Sequence, residues 1–492
     1  MSIYSDFNVA CARLSRYLNA MKLSFNKFSF FSLIILSLIV SCAKDKGPEV
    51  PDDMDFGPEG SSIPYVVIDT KGNNVVDEPK VPANMFIFKD QQIHFSSSIG
   101  IEFRGSTSQR LFPKKSYGIE LWDENGEDYS EDIFEMGKEE DWILYGPYSD
   151  KTLLRNVLIY DLSNEIGQYA PETQIVEVKM NGSYAGVFIF MEKIKRDGDR
   201  VNIESLQSTM TASSVISGGY ILKIDKTSGD TNNPDWAGDS QYTSKLGFRS
   251  NYGAYGNRLT YAPYGGKVGE ETYFLYEYPS DVEINNEQKN YIQQYISDFE
   301  DALINVDYTT SPRAYEAYID VPSFVDFFIL NELSANPDAY RLSTFMHKDR
   351  DQKLKMGPIW DFNLAFGNDG RSSPQGWIYR YNESNPNDLW LVHFWWNKLL
   401  IDPQFKAQVK ARWNQLRASV LQTTAINQKI DDWVLYLQEN KGVDRNYERW
   451  DVMGEALPFN SFVGATYEEE IDYVKGWIQD RISWMDTEIS GW

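Results

Sequence analysis

Two aspartates, Asp338 and Asp361, lie close together in the sequence, in acidic motifs of different kinds. Asp338 follows an apolar helical run and an Asn-Pro turn, and Asp361 follows an extended stretch, Leu354 to Trp360. One carboxylate on a loop and another at the end of a strand suit metal-assisted phosphoryl transfer, because one can orient a hydroxyl and the other can hold Mg²⁺ between phosphates. Aspartates that only cap helices or form solvated turns have the same pattern, so both interpretations stay open.

A possible phosphate-binding loop precedes this pair in the chain. The run Arg104 to Ser108 leaves one predicted strand, and Pro113 to Tyr117 enters the next, so small residues and two lysines, Lys114 and Lys115, bracket one loop. Backbone N–H groups of such a turn can bind phosphate oxygens, and a lysine can add a positive charge. An ordinary strand connection with solvated lysines is the alternative interpretation.

A second concentration of basic charge follows Glu192, in the run from Lys193 to Arg200. These side chains would pair with phosphate or with Glu192 across a site. They would equally suit a charged hairpin exit that neighbouring acids stabilise. The sequence alone favours neither interpretation.

Other chemistries have less support. The chain has only three histidines, His94, His347 and His393, and no two of them have the helical spacing of a zinc site. Neither a G-x-S-x-G nucleophile elbow nor a Gly-rich nucleotide loop of fixed spacing occurs. A glycosidase needs only two carboxyl groups, so that class stays open in a chain with 72 Asp and Glu residues.

The composition is that of an acidic globular protein. A length of 492 residues, with 42% hydrophobic and 15% aromatic side chains, is sufficient for two or three units that each have a core. The net charge of −25 argues against nucleic acid as a partner, because binding to phosphate backbones requires a basic surface.

The N-terminus has the pattern of a lipoprotein signal peptide over residues 1–41, with Met21 as a possible true start. Basic residues precede an apolar run, Phe28 to Val40, which is shorter than the roughly 20 residues that span a bilayer and ends before Cys42. Lipid on Cys42 would anchor the protein in the cell envelope, on the periplasmic side or at the outer-membrane surface, with residues 42–62 as a flexible tether. An uncleaved membrane anchor is the alternative.

The periodicity of the remaining chain predicts an α+β fold with two lobes. Residues 63–206 are strand-like, with a hairpin turn at Asn181, and are expected to form a β-rich N-terminal lobe. Residues 207–285 are loop-rich, with one strand from Gly219 to Ile224. Residues 286–492 show helical periodicity and predict an α-rich C-terminal lobe.

Taken in order, several motifs resemble the CotH family, an atypical secreted branch of the protein-kinase-like fold, over about residues 85–490. The motifs that carry the resemblance are Arg104-Gly105-Ser106-Thr107-Ser108, Pro113-Lys114-Lys115-Ser116-Tyr117, Thr152-Leu153-Leu154-Arg155-Asn156, Asn181-Gly182 with Gly186-Val187-Phe188, Glu192-Lys193-Ile194 with Asp199-Arg200-Val201, Gly218-Gly219-Tyr220, Asn336-Pro337-Asp338 and Pro358-Ile359-Trp360-Asp361-Phe362-Asn363. The resemblance implies a two-lobed kinase-like domain that uses ATP and Mg²⁺.

The resemblance also implies roles for individual residues. Asp338 would act at the acceptor hydroxyl, and Asp361 would bind the metal, as the aspartate of a kinase Asp-Phe-Gly motif does. Arg104 and Lys115 would lie near the phosphates of the nucleotide. Glu192 would orient a basic group.

Two functions follow as hypotheses. The first is an exported lipoprotein whose kinase domain transfers a phosphoryl group to Ser or Thr of a protein acceptor. The second is a catalytically silent surface binding or assembly protein that would use aromatic loops, Trp377 to Tyr381 and Trp390 to Trp396, for glycan or protein contacts. One departure from the kinase pattern is Ser343, which stands five residues after Asp338, where a kinase catalytic loop carries an asparagine that binds the second metal ion.

Overall fold

Alternation of inward and outward side chains builds a closed barrel early in the chain. The strands of this region are β1 (Tyr65–Asp69), β2 (Val81–Lys89), β3 (Gln92–Arg104), β4 (Ser116–Trp122), β5 (Glu131–Asp132), β6 (Lys138–Glu139), β7 (Asp141–Tyr145), β8 (Thr173–Met180) and β9 (Ser183–Glu192). Seven of them close a barrel in the order β1-β2-β3-β4-β7-β9-β8, and β5 pairs with β6 separately. Residues such as Val66 and Ile68 point into the barrel core, and closure leaves the barrel without an unpaired strand edge.

The computed structural model of the protein describes residues 47–52, 54–227, 242–264 and 269–492. Cys42 and the predicted signal peptide lie outside the described residues. Within the described ranges, no helix is both long enough and apolar enough to cross a bilayer. The chain from Gly47 to Trp492 forms one compact unit.

The segment before β1 lies against the outside of the barrel. Val50 and Met54 pack against an outward-facing apolar cluster that includes Phe88. The carboxylate of Asp55 lies 2.7 Å from Nζ of Lys179. Part of the predicted tether therefore contacts the barrel.

A second, antiparallel sheet joins the middle of the chain to the helical region. Its strands are β10 (Tyr220–Ile224), β11 (Gly247–Arg249), β12 (Tyr273–Tyr278), β13 (Thr344–Lys348) and β14 (Leu354–Met356). Their order is β11-β12-β10-β13-β14. In the register of β10 and β13, Ile224 is paired with Thr344, so the next residues along the two strands, Asp225 and Ser343, are neighbours at one end of the sheet.

The sequence predicted β10 correctly but missed β12, because the aromatic run Tyr273 to Tyr278 lies in a segment dominated by Gly, Asn and Ser. The buried side chains of this run pack in the main core, and that tertiary contact outweighs the local turn signals. The predicted hairpin at Asn181 is confirmed by the pairing of β8 with β9.

Most of the helices lie in the second half of the protein. The α-helices are α1 (Thr107–Leu111), α2 (Arg155–Glu165), α3 (Asn286–Ile304), α4 (Val321–Ser334), α5 (Tyr381–Ser384), α6 (Trp395–Leu399), α7 (Pro403–Arg417), α8 (Thr423–Glu439), α9 (Gly442–Arg449) and α10 (Tyr467–Ser490). Short 3₁₀ helices occur at Ala314–Ala317 and Ile378–Arg380. The predicted α+β organisation, with antiparallel sheets first and helices later, is confirmed.

The helical region is fastened to the barrel by α9. Nε of Arg445 donates to Oε1 of Glu177, a buried carboxylate on β8, at 2.8 Å. Lys114, which is also buried, donates to the carbonyl of Val187 at 2.5 Å and to Oδ1 of Asn446 at 2.9 Å. These hydrogen bonds join the two lobes on the side of the barrel that carries β8 and β9.

Candidate functional site

A cleft of about 1290 Å³ is lined by residues of the barrel, of the second sheet and of the loops of the helical region. Five aspartates line it, Asp77, Asp225, Asp338, Asp361 and Asp388, and they come from separate segments of the chain. Among the other lining residues are Arg104, Gly105, Ser106, Thr107, Ser108, Lys223, Lys226, Arg341, Ser343, Trp360, Asn363, Arg371 and Trp390. The structure therefore brings both predicted aspartates to one cleft.

Asp338 is positioned by the loop that follows α4. The helix is almost wholly buried. Its C-terminal cap is Ala335, which adopts a left-handed backbone conformation with φ of 42°. Oδ1 of Asn336 then accepts the backbone N–H of Asp338 at 3.2 Å, which fixes the turn. The carboxylate is thus carried on a loop that a rigid, buried helix anchors.

The carboxylate of Asp338 has two unlike oxygens. Its Oδ1 accepts a hydrogen bond from Nη2 of Arg341 at 2.8 Å and lies 3.9 Å from Nη1 of Arg371. The guanidinium of Arg341 in turn lies 4.2 Å from the ring centre of Tyr381 and pairs with Asp388. Within the described ranges Oδ2 of Asp338 makes no hydrogen bond. One oxygen is therefore held in place and the other is available to a ligand.

Asp361 lies just beyond β14 in an unusual backbone conformation, with φ of 62°. A positive φ costs a residue with a side chain about 1 kcal/mol or more, so the surrounding contacts must hold it. The N–H of Asp361 donates to Oη of Tyr160 at 3.0 Å, and the N–H of Phe362 donates to Oδ1 of Asn156 at 2.8 Å. Both acceptors belong to α2, which thereby holds the metal-site candidate from behind.

The carboxylate of Asp361 has no direct partner in the part of the chain that the structure describes. Among the described residues its carboxylate accepts no hydrogen bond and forms no ion pair. Burial and, to a smaller extent, the neighbouring carboxylates of Asp338 and Asp225 together raise the pKa of Asp361 to about 7, against smaller opposing effects of Lys226 and Arg104. A cation would offset this excess of negative charge.

Asp225 is a cleft residue that the sequence analysis did not single out. It directly follows β10, and Oδ1 accepts the N–H of Lys226 at 2.9 Å. Burial raises its pKa above the ordinary value. The signal in the sequence was an aspartate at the end of an apolar strand, the same signal that drew attention to Asp361.

Arg104 lines the cleft, as expected for a residue near phosphates. It ends β3, and its guanidinium lies 5.7 Å from the ring centre of Trp360. The next residue, Gly105, has φ of 98°, and an added Cβ there would lie 2.4 Å from Oγ of Ser108. The tight turn after β3 thus depends on glycine, and it presents Ser106 and Thr107 to the cleft.

Lys115 is not among the residues that line the cleft. Its Nζ donates to the carbonyl of Phe112 at 2.7 Å and to that of Gln109. Lys114 instead donates to Val187 and Asn446, in the contact between the lobes described above. Both lysines therefore donate to backbone carbonyl groups in this structure instead of facing the cleft.

Glu192 is also outside the cleft lining, although its neighbour Met191 belongs to it. The Glu192 carboxylate accepts hydrogen bonds from Tyr169 and from the N–H of Glu172, and it lies 3.4 Å from Nε of Arg200. Burial raises its pKa to about 7. The basic group that Glu192 contacts is Arg200, whose guanidinium lies 4.8 Å from the ring centre of Trp142.

A separate acidic group, Glu139, Glu140 and Asp141, has oxygens close enough together to hold a metal. Nζ of Lys195 contacts all three carboxylates and is hydrogen-bonded to Glu139 at 2.9 Å. The lysine already supplies the positive charge. The three acids are therefore explained as a salt-bridge cluster.

The aromatic segments proposed for surface binding belong largely to the core. Trp395 and Trp396 are 1% and 2% exposed. The ring centre of Trp377 lies 4.7 Å from that of Trp484 and 5.0 Å from that of Trp492. The surface-binding hypothesis thereby loses the exposed aromatics that motivated it.

Comparison with known proteins agrees with the motifs. Inner spore coat protein H of Bacillus subtilis (strain 168) is 32% identical over 121 residues, which is 25% of this chain and 29% of that relative. The matched part thus spans less than a third of that protein. A profile of the family described as CotH kinase protein matches residues 101–485, which is more than half of the chain. The chain therefore belongs to the CotH kinase protein family.

Proposed function

We propose that this chain is an exported, lipid-anchored kinase that transfers the γ-phosphoryl group of ATP to Ser or Thr hydroxyls of a protein acceptor. The observation that carries the proposal is that Asp338 and Asp361 line the same cleft. Membership of the CotH kinase family supports the reaction type. The cleft volume of about 1290 Å³ exceeds that of a typical small-molecule pocket, which suits a nucleotide together with an acceptor side chain.

The residues present fit a divalent cation. Asp361 is a half-buried carboxylate with no ion pair among the described residues, and two further carboxylates raise its pKa. Carboxylate oxygens are the ligands that Mg²⁺ prefers. When bound, Mg²⁺-ATP supplies the phosphoryl group and the cation that screens its charge. Asp361 would hold that cation.

The phosphate side of the cleft has its own cations. Arg104 would contact the nucleotide phosphates, and the turn Gly105–Ser108 would present backbone N–H groups to them. Lys115 would act indirectly, because its Nζ holds the carbonyls of Gln109 and Phe112 behind that turn. Glu192 would support the barrel end of the cleft through Arg200.

Asp338 is suited to the acceptor hydroxyl. Arg341 holds Oδ1, so that Oδ2 can accept a hydrogen bond from the hydroxyl and orient it. As the phosphoryl group is transferred, the same oxygen can take the hydroxyl proton. The guanidinium groups of Arg341 and Arg371 lie beside this carboxylate, at 2.8 Å and 3.9 Å from Oδ1.

Location outside the cytoplasm is supported by the N-terminal pattern, with Cys42 as the lipidation site. The relative from Bacillus subtilis is described as a spore coat protein, which is consistent with a surface-associated role. Lipidation is tested by mass spectrometry of the N-terminal peptide. Loss of membrane association in Cys42→Ser is expected.

Kinase activity is tested with labelled ATP and Mg²⁺ on the unit from Gly47 to Trp492, with itself and a generic protein as acceptors. We expect label on Ser or Thr and a rise in melting temperature with Mg²⁺-ATP. Absence of both would overturn the proposal and favour the catalytically silent alternative.

A further inference from the structure

The loop after Asp338 lacks one residue of the kinase pattern. A protein kinase carries an asparagine, which binds the second metal ion, five residues after its catalytic aspartate. In this chain that position is Ser343, which lines the cleft. A serine hydroxyl is shorter than an asparagine side chain and has no amide carbonyl, so the amide oxygen ligand is missing from the loop itself.

The register of the second sheet places a carboxylate beside that position. Ile224 of β10 is paired with Thr344 of β13, and Asp225 and Ser343 come next on the two strands. The Asp225 carboxylate interacts with the backbone N–H of Ser343. Both residues line the cleft together with Asp361.

The cations near Asp225 are engaged elsewhere. Nζ of Lys223 lies 2.8 Å from Oε2 of Glu277. Nζ of Lys226 lies 3.4 Å from Oγ1 of Thr107 and 5.5 Å from the ring centre of Trp390. Among the described residues, Asp225 forms no ion pair within 4.0 Å. Lys223 and Lys226 therefore attract the Asp225 carboxylate only from a distance, without a direct ion pair.

We propose that Asp225 supplies the second carboxylate of the magnesium site and replaces, from the neighbouring strand, the asparagine that the catalytic loop lacks. This inference rests on the proposed function of the cleft. Two carboxylates would then hold the metal, Asp225 from the residue that follows β10 and Asp361 from the loop that follows β14. Asp338 would remain free for the acceptor.

The test measures metal binding directly, with Mn²⁺ as a paramagnetic substitute for Mg²⁺. Free Mn²⁺ is counted by electron paramagnetic resonance during titration of the purified full-length chain without nucleotide. Asp225→Asn and Asp361→Asn are each expected to weaken Mn²⁺ binding at least about tenfold, because each removes one charged ligand. Asp225→Ser is titrated beside Asp225→Asn, so that a folding defect in one variant does not decide the result.

A matched control is available at the opposite end of the same strands. Asp349 follows β13 as Asp225 follows β10, and its Oδ1 accepts the N–H of the next residue, Arg350, at 2.7 Å. Asp349 does not line the cleft. Asp349→Asn is therefore expected to bind Mn²⁺ as the wild type does.

A rescue variant makes the inference sharper. Ser343 has φ of 46°, a conformation that asparagine adopts readily. Ser343→Asn in the Asp225→Asn background is expected to restore part of the Mn²⁺ affinity. Wild-type binding by both Asp225 variants, with loss in Asp361→Asn, would overturn the inference and leave the proposed function standing. Equal binding by the wild type and Asp361→Asn would instead overturn the metal site of the proposed function.

Discussion

The side chain of Asn336 donates from Nδ2 to the backbone carbonyl of Asp361 at 3.4 Å. The same side chain accepts the N–H of Asp338 through Oδ1. One amide therefore contacts the backbone on both sides of the candidate site. The spacing between the two carboxylates depends on this residue, which belongs to the Asn-Pro-Asp motif.

Asn336→Ala should consequently separate the two aspartates. Loss of two hydrogen bonds is expected to lower the free energy of unfolding by about 1 to 3 kcal/mol and to lower kcat for phosphoryl transfer at least about tenfold. Urea unfolding and labelled-ATP assays measure the two effects. Asn305→Ala, which removes one exposed hydrogen bond at the end of α3, is the control for stability. Unchanged kcat in Asn336→Ala would contradict the positioning role.

Substitutions of Asp361 and of Asp338 should impair different steps, nucleotide binding and phosphoryl transfer respectively. Asp361→Asn is expected to lose metal binding and with it the nucleotide, because we propose its carboxylate as the metal ligand. Asp338→Asn is expected to retain nucleotide binding and to lose transfer by about 100-fold or more, because we propose its carboxylate as the base at the acceptor. Thermal shifts with Mg²⁺-ATP and initial rates distinguish these cases. Equal loss of nucleotide binding in both variants would contradict the assignment.

The raised pKa of Asp361 predicts a pH dependence in metal-free protein. In the unfolded chain this carboxyl ionises near 3.8, whereas in the folded protein its pKa is about 7. Between these values the folded state holds a proton that the unfolded state has lost, so stability falls as the pH rises through the window. Melting temperatures in EDTA should show this fall for the wild type, and the curve for Asp361→Asn should lack that contribution.

Magnesium binding should favour the ionised form of Asp361. A proton on Asp361 competes with the metal, so apparent affinity is expected to fall about tenfold per pH unit below about pH 7. Titration by calorimetry at several pH values measures the slope. A pH-independent affinity would mean that Asp361 is not a ligand.

The helix α2, which holds the backbone at Asp361, begins at a buried ion pair between Arg155 and Asp150. Nη1 of Arg155 lies 2.6 Å from Oδ1 of Asp150, and its Nε donates to the carbonyl of Ala365 at 3.0 Å. Arg155→Ala would leave a buried carboxylate without its partner, which costs about 3 to 5 kcal/mol of unfolding free energy. Urea unfolding measures the loss. Arg258→Ala, at a largely exposed side chain, should change stability by less than about 0.5 kcal/mol.

Substitutions of Arg104 and of Lys115 should also have different effects on KM and on the melting temperature. Arg104→Met is expected to raise KM for ATP at least about fivefold with little change in melting temperature, because the side chain lines the cleft. Lys115→Met is expected to lower the melting temperature as well, because Nζ holds two carbonyls of the turn. A normal melting temperature in Lys115→Met would argue against that role.

Residue chemistry alone drew attention to Asp338 and Asp361, because each follows a recognisable helix or extended stretch, and the structure places both in one cleft. It did not indicate Asp225, since its place beside Ser343 depends on the register between strands more than 100 residues apart in the chain. For Lys115 the sequence predicts a positive charge near a loop. The side chain of Lys115 points to the carbonyl groups of Gln109 and Phe112, which only the folded turn brings together.

Lys114 provides a chemical reporter of how the lobes separate. Burial lowers the pKa of this amine well below its usual range, and its contacts to Val187 and Asn446 close off access to reagent. An acylating reagent should modify Lys114 only in molecules whose α9 has left the barrel. The rate of labelling at this one lysine, read by mass spectrometry, therefore measures the opening frequency of the protein under native conditions.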